Sequence, residues 1–150
     1  MNVCKIKDIK VNNFTKKKCY VLVPVNDESL TINVPIDEDK LIRNLLTKKE
    51  IDELIKKIPT IEVLDLDDKN IEIKYRELLR SDNPEDLVKI IKTTYLRNKK
   101  REENKRSKGQ KDEEYFELAE KYFYTELSVV LNLSCEDTKN YVINEVLKHK

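Results

Sequence analysis

The spacing of apolar residues changes near residue 37, and this change restricts the chain to a small sheet followed by helices. Before that point, apolar and polar residues alternate in two stretches, 19–25 (CYVLVPV) and 29–36 (SLTINVPI), as expected for β-strands. After it, apolar residues recur at steps of three and four, the spacing of amphipathic helices. The pattern predicts an α+β fold, with a small antiparallel β-module over residues 1–36 and an all-α domain of about five helices over residues 37–150.

Two prolines restrict the arrangement of the predicted strands. Pro24 and Pro35 cannot donate a hydrogen bond to a neighbouring strand, so each is expected at a strand end, a bulge or an outer edge. An exposed strand edge is therefore predicted beside the hairpin whose turn lies at 26–28. One face of the second strand is predicted to carry Leu30, Ile32, Val34 and Ile36, and the other Thr31 and Asn33.

Short capping motifs mark several helix starts. TKKE at 47–50 and SKGQ at 107–110 match the capping-box pattern, in which the first and fourth residues satisfy each other's backbone N–H groups. SDNP at 81–84 places a proline at the first helical position, and SCED at 134–137 is expected to cap the last helix.

Helical spacing of apolar residues predicts the remaining helices. One is expected over Leu41–Leu46, and another from about Ile71 to Leu79, after an acidic connector over 60–69. A third is expected at the centre of the core, where the apolar residues at helical spacing are Phe116, Ala119, Phe123, Leu127 and Val130.

Charge is abundant and unevenly distributed. Charged residues make up 39% of the 150-residue chain, yet bases and acids nearly cancel to a formal charge of +1. The stretch 97–111 (RNKKREENKRSKGQK) nevertheless holds eight bases and two acids, and 5–18 holds six lysines and one acid. Such runs either meet phosphate groups or form solvated faces, and the sequence leaves both open.

Few residues are suited to catalysis or metal binding. The only glycine is Gly109, so there is no glycine-rich phosphate loop, and the only histidine, His149, is expected to be a solvated tail residue. Cys4, Cys19 and Cys135 lack metal-ligand spacing and are predicted to be reduced, mostly buried thiols. We therefore expect a binding protein with no catalytic residue, metal or cofactor. No apolar run reaches the length of a membrane span, which favours a cytoplasmic location.

The segment 68–80 (DKNIEIKYRELLR) carries two isoleucines among charged residues. On a helix, Ile71 and Ile73 point about 200° apart, so both cannot face the same core. One interpretation is core packing of one isoleucine with Tyr75; the other is that one isoleucine is exposed for binding.

Several stretches together resemble a family of bacterial transcription regulators. NIEIKYRELL at 70–79, SDNPEDLVKIIKTTYLRNKKRE at 81–102 and AEKYFYTELSVVLNLSCEDTKNYVINEVL at 119–147 resemble the helical domain of the CarD family. YVLVPVNDESLTINVPID at 20–37 is similar to part of the family's Tudor-like, RNA polymerase-interacting module. The resemblance covers nearly the whole chain and rests on the order and spacing of these segments.

The resemblance implies a non-enzymatic regulator that binds the RNA polymerase β subunit and promoter DNA. The β-module would add a strand edge to the β subunit, and the helical domain would contact DNA at the upstream edge of the transcription bubble, where a tryptophan of the family wedges into the minor groove. DNA binding is expected to be weak and largely sequence-independent. The residues implied in DNA binding are Asn70, Ile71, Lys74, Tyr75, Arg76, Lys108 and Lys111. Those implied in polymerase binding are Asn12, Thr31, Ile32, Asn33 and Val34.

This chain departs from the family's pattern at several positions. Ile71 falls at the wedge tryptophan, Ile73 replaces the first arginine of the Asn-Trp-x-Arg-Arg-Tyr segment, and Asn33 stands where the family often has arginine. The family's usual first strand is also absent from the sequence. Either the sequence is a fragment or shortened product, or another chain supplies the strand. We accordingly expect a monomer, or a strand-exchanged oligomer in the latter case.

A second function remains open: a helical protein-interaction module that does not bind DNA. The charge around residues 71–76 distinguishes the two. A contiguous positive face favours DNA, whereas neutralisation by Glu72 and Glu77 favours the interaction module.

Overall fold

The computed structural model describes residues 3–25, 27–36, 43–81 and 83–148. The chain divides into two compact units between Leu45 and Leu46. The first contains a three-stranded antiparallel sheet and the second contains five α-helices, so the predicted α+β class is confirmed. The change of pattern near residue 37 and the tail residue His149 both fall outside the described residues.

The sheet of the first unit has the strand order β1-β2-β3. Its strands are β1 (Cys4–Val11), β2 (Lys18–Pro24) and β3 (Ile32–Pro35). Both prolines are the last residues of their strands, as predicted, because neither can donate to a neighbouring strand. Each outer strand has a single neighbour among the described residues, so β1 and β3 both present an open edge.

The register of β3 against β2 fixes which side chains share a face. Ile32 lies opposite Leu22, and Val34 lies opposite Tyr20. Asn33 lies between them and therefore points to the other face. The predicted alternation in β3 is confirmed for these three residues.

Five helices make up the second unit. They are α1 (Lys48–Lys57), α2 (Asp68–Arg80), α3 (Pro84–Glu103), α4 (Gln110–Leu131) and α5 (Cys135–Lys148), and a short 3-10 turn follows α1 (Ile58–Thr60). None of the described helices is both long enough and apolar enough to cross a membrane.

Three of the predicted helix starts are confirmed. The Thr47 hydroxyl accepts a hydrogen bond from the Glu50 N–H, and the Glu50 carboxylate accepts one from the Thr47 N–H, each at 3.1 Å. Asn83 caps α3, with proline at the first helical position. The Ser134 hydroxyl accepts from the Asp137 N–H at 3.1 Å, at the start of α5.

Two other helix predictions need correction. Residues 43–47 are not helical, so the helix expected over Leu41–Leu46 is wrong at its described end, while Leu41 and Ile42 lie outside the described residues. The Leu46 N–H instead donates to the Glu126 carboxylate at 2.9 Å, and the capping box begins the helix after Thr47.

The capping box expected at Ser107 is also wrong. Gly109 is the N-cap of α4 and makes no side-chain cap. Its N–H donates to the side-chain oxygen of Asn98 on α3 at 2.9 Å, so a tertiary hydrogen bond holds the start of α4.

The core of the second unit lies between the apolar faces of its helices. The predicted central role of α4 is confirmed for Ala119, Phe123 and Leu127, which are buried, whereas Phe116 and Val130 are half-buried. The other most deeply buried apolar side chains are Ile51, Ile55, Tyr75, Leu87 and Ile90.

Candidate functional site

A buried polar cluster connects α2, α3 and α4. Asp112 on α4 accepts hydrogen bonds from the Tyr75 hydroxyl at 2.7 Å, from Arg97 Nε at 3.0 Å and from Arg101 Nη1 at 2.5 Å. Its side chain is only 3% exposed. Arg97 also pairs with Asp68, at the first residue of α2. We call Tyr75, Arg97, Arg101 and Asp112 the Asp112 cluster, and it fixes how the three helices pack.

The electrostatics of the Asp112 cluster are those of a structural ion pair. Burial by itself raises the pKa of Asp112, but hydrogen bonds from Arg101, Tyr75 and Arg97 outweigh it, so the pKa lies below its ordinary value. Burial and the hydrogen bond to Asp112 raise the pKa of Tyr75. At neutral pH the carboxylate is therefore charged and the phenol neutral, which is the pairing that favours the folded state.

The structure buries one of the two isoleucines on α2 and exposes the other. Ile71 is 3% exposed and packs in the core, whereas Ile73 is 57% exposed. Tyr75 is also buried, and its hydroxyl donates to Asp112. The positions of Ile71 and Tyr75 are thus incompatible with the predicted DNA contacts, because neither side chain reaches the surface. In this fold Ile71 packs in the core and is not placed to insert between bases.

The exposed charges of α2 are largely neutralised by their neighbours. Lys74 pairs with Glu77 at 3.4 Å, and Arg76 pairs with Glu72 at 2.9 Å. Asn70 Nδ2 donates to the Asp67 carboxylate at 2.8 Å, and its N–H donates to the same carboxylate. The Asp67 cap explains why α2 begins at Asp68 and not near Ile71 as predicted.

The basic stretch 97–111 divides into paired and unpaired charges. Arg97 and Arg101 belong to the Asp112 cluster, Lys108 lies 3.7 Å from a Glu102 oxygen, and Lys111 lies near both Glu72 and Glu114. The described residues include no ion pair for the four remaining bases, which we call the α3-end bases. They are Lys99, Lys100, Lys105 and Arg106.

The α3-end bases are a surface that sequence reasoning only partly found. The sequence predicts a basic stretch and implicates Lys108 and Lys111 within it, but both of these lysines have carboxylates within 4 Å. Residue spacing could have shown that Lys99 and Lys100 follow Tyr95 and Leu96 by four positions, on an exposed side of α3. Which bases pair with Asp112 depends on contacts between helices and has no local signal.

The residues expected to contact polymerase lie mainly on one edge of the sheet. Ile32, Asn33 and Val34 belong to β3, and Thr31 directly precedes it. Asn12 lies elsewhere, in the turn between β1 and β2, where its side-chain oxygen accepts from the Phe14 N–H at 2.8 Å. Four of the five residues therefore lie at or next to β3. Asn12 follows β1, which is on the other side of β2 from β3.

The thiols and carboxylates provide no metal site among the described residues. Cys4, Cys19 and Cys135 form no disulfide with one another, but only Cys19 is buried; Cys4 is half-buried and Cys135 is exposed. The prediction of mostly buried thiols is therefore wrong, since Cys135 is the first residue of α5 and its side chain lies on the surface.

Comparisons with known proteins do not assign the chain to a family. No protein-family model matches it, and no curated protein is significantly similar to it.

Proposed function

We propose that this chain is a CarD-like transcription regulator that binds the RNA polymerase β subunit through the outer edge of β3. Its helical unit would contact promoter DNA near the transcription bubble, in the cytoplasm. One observation carries the proposal. The stretch that resembles the family's polymerase-binding strand forms an edge strand with no neighbour on its outer side among the described residues.

Strand addition is the binding mode that such an edge supports. An edge strand presents unpaired N–H and C=O groups that an extended partner strand can satisfy. Asn33 is exposed and uncharged, so affinity here would come from main-chain hydrogen bonds and from the partly exposed Ile32. A direct test is to mix the full chain with RNA polymerase and with its isolated β lobe. Absence of binding to both would contradict the proposal.

The DNA contact that we propose is centred on the α3-end bases. These four side chains carry positive charge without an ion pair among the described residues, whereas the charged residues of α2 are compensated. Free lysines and arginines can replace the counterions of DNA phosphates, and this exchange makes affinity depend on salt. The contact carries no base recognition, which agrees with weak and sequence-independent binding.

Removing two of the α3-end bases should weaken the salt dependence of DNA binding. For Lys99→Gln combined with Lys100→Gln, we expect the slope of log K against log salt to fall in magnitude by about 1.8, because each lost phosphate contact accounts for about 0.9. Fluorescence anisotropy on a labelled duplex at several salt concentrations measures this slope. The matched control is Lys48→Gln combined with Lys49→Gln, two adjacent exposed lysines at the start of α1. An equal change in both double variants would contradict a DNA contact at the end of α3.

The second candidate is a protein-interaction module that does not bind DNA. It is favoured by the pairing of Lys74 with Glu77 and of Arg76 with Glu72, which neutralises the face around residues 71–76. The same anisotropy measurement distinguishes the two functions. If the wild-type chain binds polymerase but shows no salt-dependent affinity for duplex DNA, the interaction module is the better account.

A further inference from the structure

The face of the sheet that carries Leu22 continues onto β1 as a row of aliphatic side chains. Ile6 lies opposite Leu22, Ile9 lies opposite Tyr20, and Val11 lies opposite Lys18. Directly paired residues of an antiparallel sheet share a face, so these three aliphatic residues of β1 lie together on the Leu22 face. We call Ile6, Ile9 and Val11 the β1 row.

A β-bulge is what brings the β1 row together. Residues three apart in a regular strand point to opposite faces, so Ile6 and Ile9 would be separated. The register shifts between Ile6 and Asp8, which inserts one extra residue and returns Ile9 to the face of Ile6. The bulge therefore creates a continuous aliphatic surface that the sequence alternation alone would not give.

The β1 row is more exposed than the aliphatic residues of β2 and β3 on the same face. Ile6, Ile9 and Val11 are 57%, 53% and 56% exposed, whereas Leu22 and Val34 on the same face are buried. In addition, β1 has no neighbour on its outer side among the described residues. An open edge next to uncovered aliphatic side chains is a template for pairing with another strand.

The opposite face of β1 is basic. Lys5 lies opposite Val23, and Lys10 lies opposite Cys19. In the described part of the chain, no ion pair involves Lys5, Lys10 or the bulged Lys7. Asp8, the one acid of the strand, lies opposite Val21 on this same face, so two lysines outnumber one acid there, and its carboxylate accepts a hydrogen bond from the adjacent Ile9 N–H at 2.8 Å. A partner with acidic side chains on this face would thus match the charge of β1.

From these features we propose that the outer edge of β1 binds an extended segment of another protein in which aliphatic and acidic residues alternate. The segment adds as a fourth strand. Its aliphatic side chains continue the β1 row, and its carboxylates face Lys5 and Lys10. This surface is separate from the β3 edge, so the inference does not depend on the polymerase proposal.

A second copy of the chain fits the β1 edge poorly. Antiparallel pairing of two β1 strands would bring lysines opposite or diagonal to lysines, and like charges at such positions destabilise a sheet. Nucleic acid fits poorly as well, because single strands bind by stacking bases on aromatic rings and the β1 row is aliphatic. The exposed Phe14 belongs to the turn beyond β1 and is not part of the row.

Synthetic peptides of about ten residues, a length within the usual range of strands, provide the test. The probe alternates valine and glutamate; the comparison peptide has the same composition with valines and glutamates in separate blocks. Fluorescein-labelled peptides are titrated with the full chain, and a labelled single-stranded oligonucleotide is titrated in parallel. We expect the alternating peptide to bind about tenfold more tightly than the blocked peptide, because only it can pair along an edge with its acids on one face. We also expect it to slow amide hydrogen exchange across residues 4–11.

Matched variants locate the binding to β1. Ile9→Gln should weaken binding of the alternating peptide about tenfold, whereas Ile143→Gln on α5, which changes an isoleucine of the same 53% exposure, should leave it unchanged. Lys5→Gln combined with Lys10→Gln keeps the β1 row intact and should also weaken binding; it tests the charge match even if Ile9→Gln fails to fold.

Four outcomes would overturn the proposal. In the titrations, these are equal affinity for the two peptides or no binding of either, and tighter binding of the oligonucleotide than of the alternating peptide. In hydrogen exchange, the outcome is protection confined to β3. In sedimentation velocity, it is a dimer of the chain that Ile9→Gln dissociates.

Discussion

Replacing Ile71 with alanine is expected to lower the free energy of unfolding by about 3 kcal/mol, because the side chain is buried and its loss leaves a cavity among packed helices. Ile71 shares the inner face of α2 with Tyr75 and Leu78, which follow it by four and seven residues. Urea unfolding followed by far-ultraviolet circular dichroism gives this energy.

Ile73→Ala is the matched control on the same helix. It is the same substitution at a side chain that is 57% exposed, where substitutions usually alter stability by less than about 0.5 kcal/mol. Equal losses in the two variants would contradict the assigned faces of α2. If the chain acts on promoters as proposed, Ile71→Ala should leave open-complex lifetime unchanged once the fraction of folded protein is matched, because the buried Ile71 side chain cannot contact DNA.

Replacing Asp112 with asparagine is expected to destabilise the chain by about 3 kcal/mol, since it leaves two partly buried arginines without their shared carboxylate. This loss of stability is at the lower end of the range for removing one partner of a buried ion pair, because Arg97 and Arg101 keep some contact with solvent. Asp65→Asn, in the exposed connector before α2, makes the same change where no such cluster exists and should have little effect.

The Asp112 cluster also predicts how stability depends on pH. The pKa of Asp112 is lower in the folded chain than its ordinary value of about 4, so the unfolded chain binds this proton more readily. The stabilisation is therefore fully present above about pH 4 and is lost as pH falls through the folded-state pKa. Asp112→Asn should show a shallower loss of stability in this acidic range than wild type. Identical acid limbs for the two proteins would contradict a charged Asp112 in the folded state.

Local rules predicted the order of elements and several helix starts. The change from alternating to helical spacing gave the sheet and the helices, and Thr47, Asn83 and Ser134 cap helices as expected because capping uses neighbouring residues only. Where a distant group intervened, local rules failed. Glu126 binds the Leu46 N–H, and Asn98 binds the Gly109 N–H, so neither segment follows its local pattern.

The orientation of α2 shows why the candidate site was harder to predict than the fold. Helical geometry correctly required Ile71 and Ile73 to face different directions, and the spacing of Ile71, Tyr75 and Leu78 indicated the buried face. The family resemblance favoured exposure of Ile71 instead. Charge raised a similar difficulty, because sequence alone does not show which bases of 97–111 are taken up by Asp112.

The most direct test of the central claim compares Asn33→Pro with Asn33→Ala in binding to the isolated β lobe of RNA polymerase. In an edge strand, the backbone N–H groups of alternate residues point away from the sheet. Proline lacks an N–H and is found at these outward positions, and Pro35 is part of β3. We therefore expect the Asn33 N–H, two residues earlier, to point away from the sheet. Proline removes this donor without breaking the β2–β3 ladder, whereas alanine removes only the side chain.

If β3 binds the β lobe by strand addition, Asn33→Ala should bind within about threefold of wild type and Asn33→Pro should bind about tenfold or more weakly, because only proline takes away a main-chain hydrogen bond. The thermal unfolding of both variants serves as the check that the sheet remains folded. Equal affinity of the proline and alanine variants for the β lobe would contradict polymerase binding through the β3 edge.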